Sequence, residues 1–332
     1  MLGVYAKEQD QVTDITKGHV SNNHNQASKH IMAERTTNTL ITHSRSLEQV
    51  RESLGQPQYE FESALSYCGD CLELLRKLPT GIIDLTVTSP PYNIGKAYET
   101  VRPIDEYVSW CSEWMTEIYR VTSPTGACWL NLGYISMPGR AHMLPLSYLL
   151  WDKSPFTMVQ EVVWNYGAGV AGRRVLSPRN EKFLWYVKDI ANYTFNLDEI
   201  RDPDVKYPNQ KKNGKIRVNP MGKNPSDVWQ IPKVTTGQGL IGRRASPERT
   251  SHPAQFPIAV IDRIIKACSN PGDIVLDPFL GSGTTMEAAL KNGRTALGFE
   301  LSNSYVDIAY QRVKTHLAKA SQGELLKLLE EF

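Results

Sequence analysis

Asp273-Ile274-Val275-Leu276-Asp277-Pro278-Phe279-Leu280-Gly281-Ser282-Gly283-Thr284-Thr285 is the stretch on which the fold turns. Its short β-branched run, Ile274 to Leu276, predicts a buried strand, and residues 283–292 predict a helix. Gly281 and Gly283 supply the tight turn between them. In an open parallel sheet such a turn lies at the C-terminal edge of the strands, where ligands bind. Three ligand classes compete for it. An ATP-type phosphate loop needs a Lys before its Ser or Thr, and Gly283-Thr284-Thr285 has none. A dinucleotide fingerprint places a third small residue at 286, which is Met286. S-adenosylmethionine carries no phosphate, and its carboxylate suits the helix N-terminus. The next strand, Thr295–Phe299, leads to Glu300, nineteen residues beyond Gly281 and placed to accept from ribose hydroxyls.

Working outward, strands are expected at 82–88, 127–132, 158–164 and 183–187. Helices are expected at 71–78, 104–121, 255–268, 303–318 and 324–332. Strands alternating with helices predict an α/β fold with a mostly parallel sheet. A second turn follows the strand at 82–88: Thr88-Ser89-Pro90-Pro91-Tyr92-Asn93. Two adjacent prolines fix φ twice and lack N–H donors, so this turn is rigid and its carbonyl oxygens are free of local structure. Ser89 adds a hydroxyl and Tyr92 an aromatic face, a combination suited to a planar ring bearing an amino group.

Thr88–Asn93 together with Asp277–Thr285 resembles the amino-group DNA methyltransferases, in the branch whose catalytic motif precedes the cofactor motif. The resemblance runs from about Tyr67 to His316. Ser89, Pro90, Pro91 and Tyr92 fall on the family's catalytic tetrapeptide. Asp277, Phe279, Gly281 and Gly283 fall on its S-adenosyl-L-methionine loop, with Thr284, Thr285 and Glu300 completing the candidate cofactor set. Gly69-Asp70-Cys71 resembles the segment whose Asp contacts the cofactor's adenine, and His252-Pro253 the segment beside its methionine end. Residues 180–188 resemble the strand that precedes the target-recognition region. The resemblance implies a seven-stranded, mostly parallel, Rossmann-like sheet with helices on both faces and an inserted irregular recognition region. It also implies a flipped base in double-stranded DNA as substrate and a restriction endonuclease as genetic partner.

The expected organisation is a polar N-terminal arm (1–60), a catalytic half (61–189), a recognition region (190–250), a cofactor-binding half (251–320) and a C-terminal helix (321–332). The arm is rich in Ser, Thr, Asn and Gln. Its four histidines (His19, His24, His30 and His43) fit no metal-ligand spacing. Over all 332 residues the formal charge is only +2, yet residues 201–250 hold 11 Lys or Arg against 4 Asp or Glu. A basic block of this kind suits a polyanion. Lys211, Lys212, Lys215, Arg217, Arg243 and Arg244 are the candidate phosphate contacts, and Asn209, Asn213, Trp229, Gln230 and Gln238 the candidate base readers.

No run of apolar residues is long enough to span a membrane. The opening residues lack a signal-peptide core, and a cytoplasmic, DNA-associated protein of a bacterium or archaeon is expected. Five scattered cysteines imply reduced thiols, and Cys68-x-x-Cys71 lacks the second pair of a zinc site. Without a Pro-Cys dipeptide, carbon-5 cytosine methylation is rejected. Ser89, where many adenine-modifying relatives have Asp, resembles the N4-cytosine members. A hydroxyl accepts from cytosine N4 or adenine N6 alike, so N6-adenine methylation stays the alternative, with a non-catalytic DNA-binding relative behind it.

Overall fold

The computed structural model describes residues 47–167, 173–234 and 245–330. These all belong to one compact unit, His43–Phe332. Of the expected residues, His19, His24, His30, His43, Gln238, Arg243 and Arg244 lie outside the described ones.

A nine-stranded sheet runs in the order β1 (Tyr59–Phe61), β2 (Ala64–Cys68), β13 (Thr295–Glu300), β12 (Ile274–Asp277), β3 (Ile83–Thr88), β4 (Thr122–Leu132), β8 (Asn180–Val187), β7 (Thr157–Asn165) and β11 (Val228–Gln230). The expected seven strands are present, and a three-residue strand at each edge extends them to nine. From β2 to β4 every pairing is parallel. β8 runs antiparallel to both its neighbours, β4 and β7. Residues of β3 and β12 are almost all buried, as they must be in strands covered on both faces.

Parallel neighbours need crossovers, and helices provide them. α2 (Cys71–Lys77) joins β2 to β3, α3 (Ile104–Val121) joins β3 to β4, and α6 (Thr284–Lys291) joins β12 to β13. One core cluster brings Val50 of α1 (residues 47–54) together with Leu75, Trp114, Ile118 and Leu150 of α4 (Ser147–Leu150). The other gathers Val260 and Ile264 of α5 (Ile258–Cys268), Ala288 of α6, and Ala309 and Val313 of α7 (Asn303–Glu330). A separate hairpin, β5 (Tyr134–Met137) with β6 (Ala141–Pro145), follows β4.

Two boundaries differ from expectation. The polar arm does not extend to residue 60, because α1 buries Leu47 and Val50, and β1 pairs with β2. The C-terminal helix is not separate: α7 runs unbroken from Asn303 to Glu330. Good helix formers at 318–320 carry it through Gly323, whose cost of about 1 kcal/mol a long helix tolerates. Residues 190–250 are tied to the rest of the fold at Asn196 and at β11. Asn196 N donates to the Ala267 carbonyl (2.7 Å) and Asn196 Nδ2 to that of Ser269 (2.8 Å), while β11 joins the sheet edge. Trp229 is therefore not a base reader. It is buried, stacked on Trp129 at 5.7 Å, with Arg263 over its ring.

Candidate active site

β12 and β3 are hydrogen-bonded neighbours, but the chain leaves them in opposite directions, β12 towards β13 and β3 towards β4. That divergence opens a crevice at their C-terminal ends, the usual ligand position in such sheets. The glycine turn and the proline turn both lie there. Thr88 Oγ1, the last residue of β3, donates to Asp277 Oδ1 at 2.7 Å and ties the two turns together.

Asp277 is buried, and its other oxygen accepts from Thr285 Oγ1 at 2.7 Å, while Phe279 N donates to Oδ1 at 3.2 Å. Asp277, Thr285 and the buried Thr284 therefore shape the loop from within. Burial pushes the Asp277 carboxyl up to about 6, against those hydrogen bonds. With its folded value above the ordinary 3.8, the native state binds more protons between those two pH values. Stability contributed by this group is then present at low pH and lost as pH rises through about 6, a change of about 3 kcal/mol. Asp277→Asn is expected to flatten that part of the stability curve in urea unfolding at about pH 4, 5, 6 and 7. Asp273, also pushed up to about 6 by burial, keeps the remainder of the slope. A wild-type slope in the Asn variant would contradict this.

Gly281 and Gly283 hold φ of +50° and +74°. Gly281 N donates to Glu300 Oε2 at 2.9 Å, which binds the turn to the end of β13. Glu300 Oε1 accepts from Ser302 N. On the adjacent strand end, Asp70 caps α2: its Oδ1 accepts from Leu72 N and Glu73 N. Asp70 Oδ2 makes no hydrogen bond among the described residues. Phe279 packs edge-on against Trp114 (5.3 Å) and Trp110 (5.8 Å). His252 lies against the glycine turn, where a Cβ on Gly281 would come within 3.1 Å of its ring. Tyr98 stacks on that ring at 5.9 Å, and Tyr305 meets it edge-on at 4.4 Å. Burial keeps His252 below the usual imidazole range, hence neutral at physiological pH.

In the proline turn, Ser89 Oγ donates to Tyr92 Oη at 2.8 Å. Tyr92 Oη reaches Asn131 Oδ1 at 2.7 Å and Glu181 Oε2 at 3.1 Å. Its ring lies over Gly133, where a Cβ would come within 2.7 Å. The Pro91 carbonyl, expected free, accepts from Tyr107 Oη at 2.7 Å. No bond to the Pro90 carbonyl is made among the described residues. Asn131 and Glu181 escaped sequence reading, as did Tyr98. The only available signal was that the strand at 127–132 carries a polar residue, Asn131, next to its end, and that residues 180–188 open on Asn180-Glu181-Lys182.

Lys211, Lys212 and Lys215 stand exposed on a two-stranded hairpin, β9 (Lys211–Lys212) and β10 (Lys215–Ile216), and Arg217 follows it. Asn213 and Gly214 turn the chain at φ +52° and +77°, the left-handed pair that a two-residue hairpin demands. None of the four cations forms a salt bridge among the described residues.

Left-handed glycines, a helix N-terminus, and the carboxylates of Asp70 and Glu300 on adjacent strand ends fit a nucleoside cofactor without phosphates. A family model described as a DNA methylase matches residues 83–311. The chain is 60% identical over 268 residues to the type II methyltransferase M.ScaI of Streptomyces caespitosus, covering 81% of this chain and 87% of that protein. It is 35% identical over 254 residues to the DNA adenine methyltransferase YhdJ of Escherichia coli strain K12, covering 74% and 81%. Among solved structures, the cytosine-N4-specific PvuII DNA methyltransferase shares the fold at TM-score 0.62 and 20% identity, covering 78% of this chain and 89% of that one. A DNA modification methylase of Thermus thermophilus, complexed with S-adenosyl-L-methionine, shares it at 0.52 and 23%, covering 76% and 95%. The chain belongs to the N6/N4 DNA methylase family, the S-adenosyl-L-methionine-dependent methyltransferases of base amino groups.

Proposed function

We propose that this protein is a sequence-specific DNA methyltransferase acting on the exocyclic N4 of cytosine, as the protective half of a restriction–modification pair in the cytoplasm. The observation that carries the amino-group reading is the state of Ser89, and serine at that position, resembling the N4-cytosine members, is what favours cytosine. Its hydroxyl hydrogen is committed to Tyr92, so its lone pairs are left to accept an amino N–H. A base amino group is a poor nucleophile because its lone pair is delocalised into the ring. Acceptors on its hydrogens, Ser89 Oγ and the Pro90 carbonyl, favour a pyramidal nitrogen with that pair freed. Tyr92 offers its ring as the stacking surface.

Asp70, Glu300, Gly281, Gly283 and Phe279 would hold the cofactor. Bound there, S-adenosyl-L-methionine supplies a methyl group activated by its sulfonium. The protein's own part is orientation and polarisation in a crevice fixed by the Thr88–Asp277 bond. The base must leave the duplex, at a cost of a few kcal/mol. Lys211, Lys212, Lys215 and Arg217, with Arg243 and Arg244, would hold the phosphates during that step.

Transfer of tritium from labelled S-adenosyl-L-methionine to mixed-sequence duplex DNA, followed by nucleoside digestion, tests the reading. N4-methylcytosine is the expected product. N6-methyladenine would replace the cytosine assignment, and no label at low salt would remove the enzyme. Changing Lys211, Lys212 and Lys215 together to Ala is expected to weaken DNA binding and to reduce the slope of log Kd against log salt by about 2 to 3. An unchanged slope would take the hairpin off the DNA.

A further inference from the structure

The Tyr92 hydroxyl is the hub of a polar network in which Glu181 has so far had no role. β8 runs against β4, so Glu181, near its start, sits at the same sheet edge as Asn131, near the end of β4. Glu181 meets the network through Tyr92, with the Asn131 side chain beside it, and Tyr92 touches Ser89.

We propose that Ser89, Tyr92 and Glu181 form a proton relay that discharges the amino nitrogen as it is methylated, with Glu181 as the terminal acceptor. The inference rests on the amino-methyltransferase reading above. As the nitrogen–methyl bond forms, the nitrogen becomes cationic and sheds its proton in the same rate-determining step. Its N–H bond breaks as the proton passes to Ser89 Oγ. The Ser89 proton passes to Tyr92 Oη, and the Tyr92 proton to Glu181 Oε2. Each hydroxyl loses one proton and gains one. The ammonium-like nitrogen and the carboxylate both end neutral, and Glu181 later returns its proton to solvent.

Two features support this path beyond the continuous spacing of 2.8 and 3.1 Å. Asn131 is fully buried, yet its Nδ2 has no hydrogen-bond partner among the described residues. A half-turn of that amide lets Nδ2 donate to Tyr92 Oη, which directs the Tyr92 hydrogen to Glu181 and leaves the hydroxyl fully used. The electrostatics also fit. Burial pushes the Glu181 carboxyl above its ordinary range, while the Tyr92 bond, the Lys233 charge and the Asn131 side chain hold it back. The other titratable groups facing it are Tyr98 and Tyr166, both pushed up to about 12 chiefly by burial. Tyr92 is pushed well above 10 by burial, so it passes a proton without keeping a negative charge.

The test is the single-turnover methylation rate of the full-length protein on duplex DNA as a function of pH. The wild type should lose rate on the acid side with an apparent pKa above the ordinary carboxylate value. Glu181→Gln keeps an acceptor for Tyr92 but no base, and should lower the rate about 100-fold and abolish the acid limb, with DNA and cofactor affinity unchanged. Tyr92→Phe breaks the relay with Glu181 intact and should lose the same limb, so it decides the matter if the Gln variant fails to fold. Either variant retaining the wild-type rate and pH profile overturns the relay. So does a wild-type rate that is flat from about pH 5 to about pH 8. A wild type that labels no base at all removes the methyltransferase reading instead, which keeps the two failures distinct.

Discussion

Ser89→Ala is expected to slow single-turnover methylation by about 100- to 1,000-fold, with DNA and cofactor dissociation constants within about twofold of the wild type. The size follows from what is lost: one preorganised group at the atom where charge develops, an effect of about 3 to 4 kcal/mol on the barrier. The clean separation follows from geometry. Ser89 is half-buried and its side chain bonds only to Tyr92 among the described residues, and Tyr92 keeps Asn131 and Glu181 as partners when Ser89 is truncated. The turn itself is held by its two prolines and by the Tyr107 bond to the Pro91 carbonyl. Stability should change by less than about 1 kcal/mol. Quenched-flow transfer with saturating DNA measures the first quantity and equilibrium titration the second. A wild-type rate would remove Ser89 from the reacting atoms, and a parallel loss of DNA binding would make its role structural.

Gly283→Ala is expected to destabilise the fold by about 2 to 5 kcal/mol. Two costs add. A left-handed residue with a Cβ is strained by about 1 to 2 kcal/mol. The new Cβ would also stand 2.8 Å from the Ala309 Cβ and 2.9 Å from its Cα, a backbone-anchored neighbour on α7 that has no flexible end to move. Such overpacking costs a further 1 to 3 kcal/mol or so. Gly293 provides the control. Its φ is +69°, but nothing lies within 4 Å of a Cβ there. Gly293→Ala should therefore show the strain alone. Equal losses in urea unfolding of the two variants would mean that the approach of α7 to the glycine turn carries no energy.

What could be read from the sequence depended on where each residue's partners lie. β3 and β12 were legible because strands covered on both faces must be short, β-branched and apolar throughout, and glycine or proline punctuation marks their ends. The order of strands was not legible, yet it brings the two turns together across 189 residues of chain through Thr88 and Asp277. The same distance problem hid Glu181, which is 89 residues from Tyr92 and looks in isolation like an ordinary polar start to a strand. Asp277 was read as a ligand because its type and position match a motif. Its partners, two threonine hydroxyls, give it a part in organising the loop that the motif did not reveal. β11 is three residues long, too short for any periodicity, and only its pairing with β7 reveals that Trp229 belongs to the core.

The strand order has a consequence for synthesis. β2 and β3 emerge from the ribosome early, but the two strands that separate them, β13 and β12, are made only when residue 300 has been reached. Until then the nascent chain carries a gap in the middle of its sheet, bounded by two apolar edges with unpaired backbone groups. The half that holds Ser89 and Tyr92 cannot close around them before the half that holds the glycine turn is complete. A chain interrupted ahead of β12 leaves those edges open to other molecules, and a separately made segment carrying α5 to α7 is the natural piece to fill them.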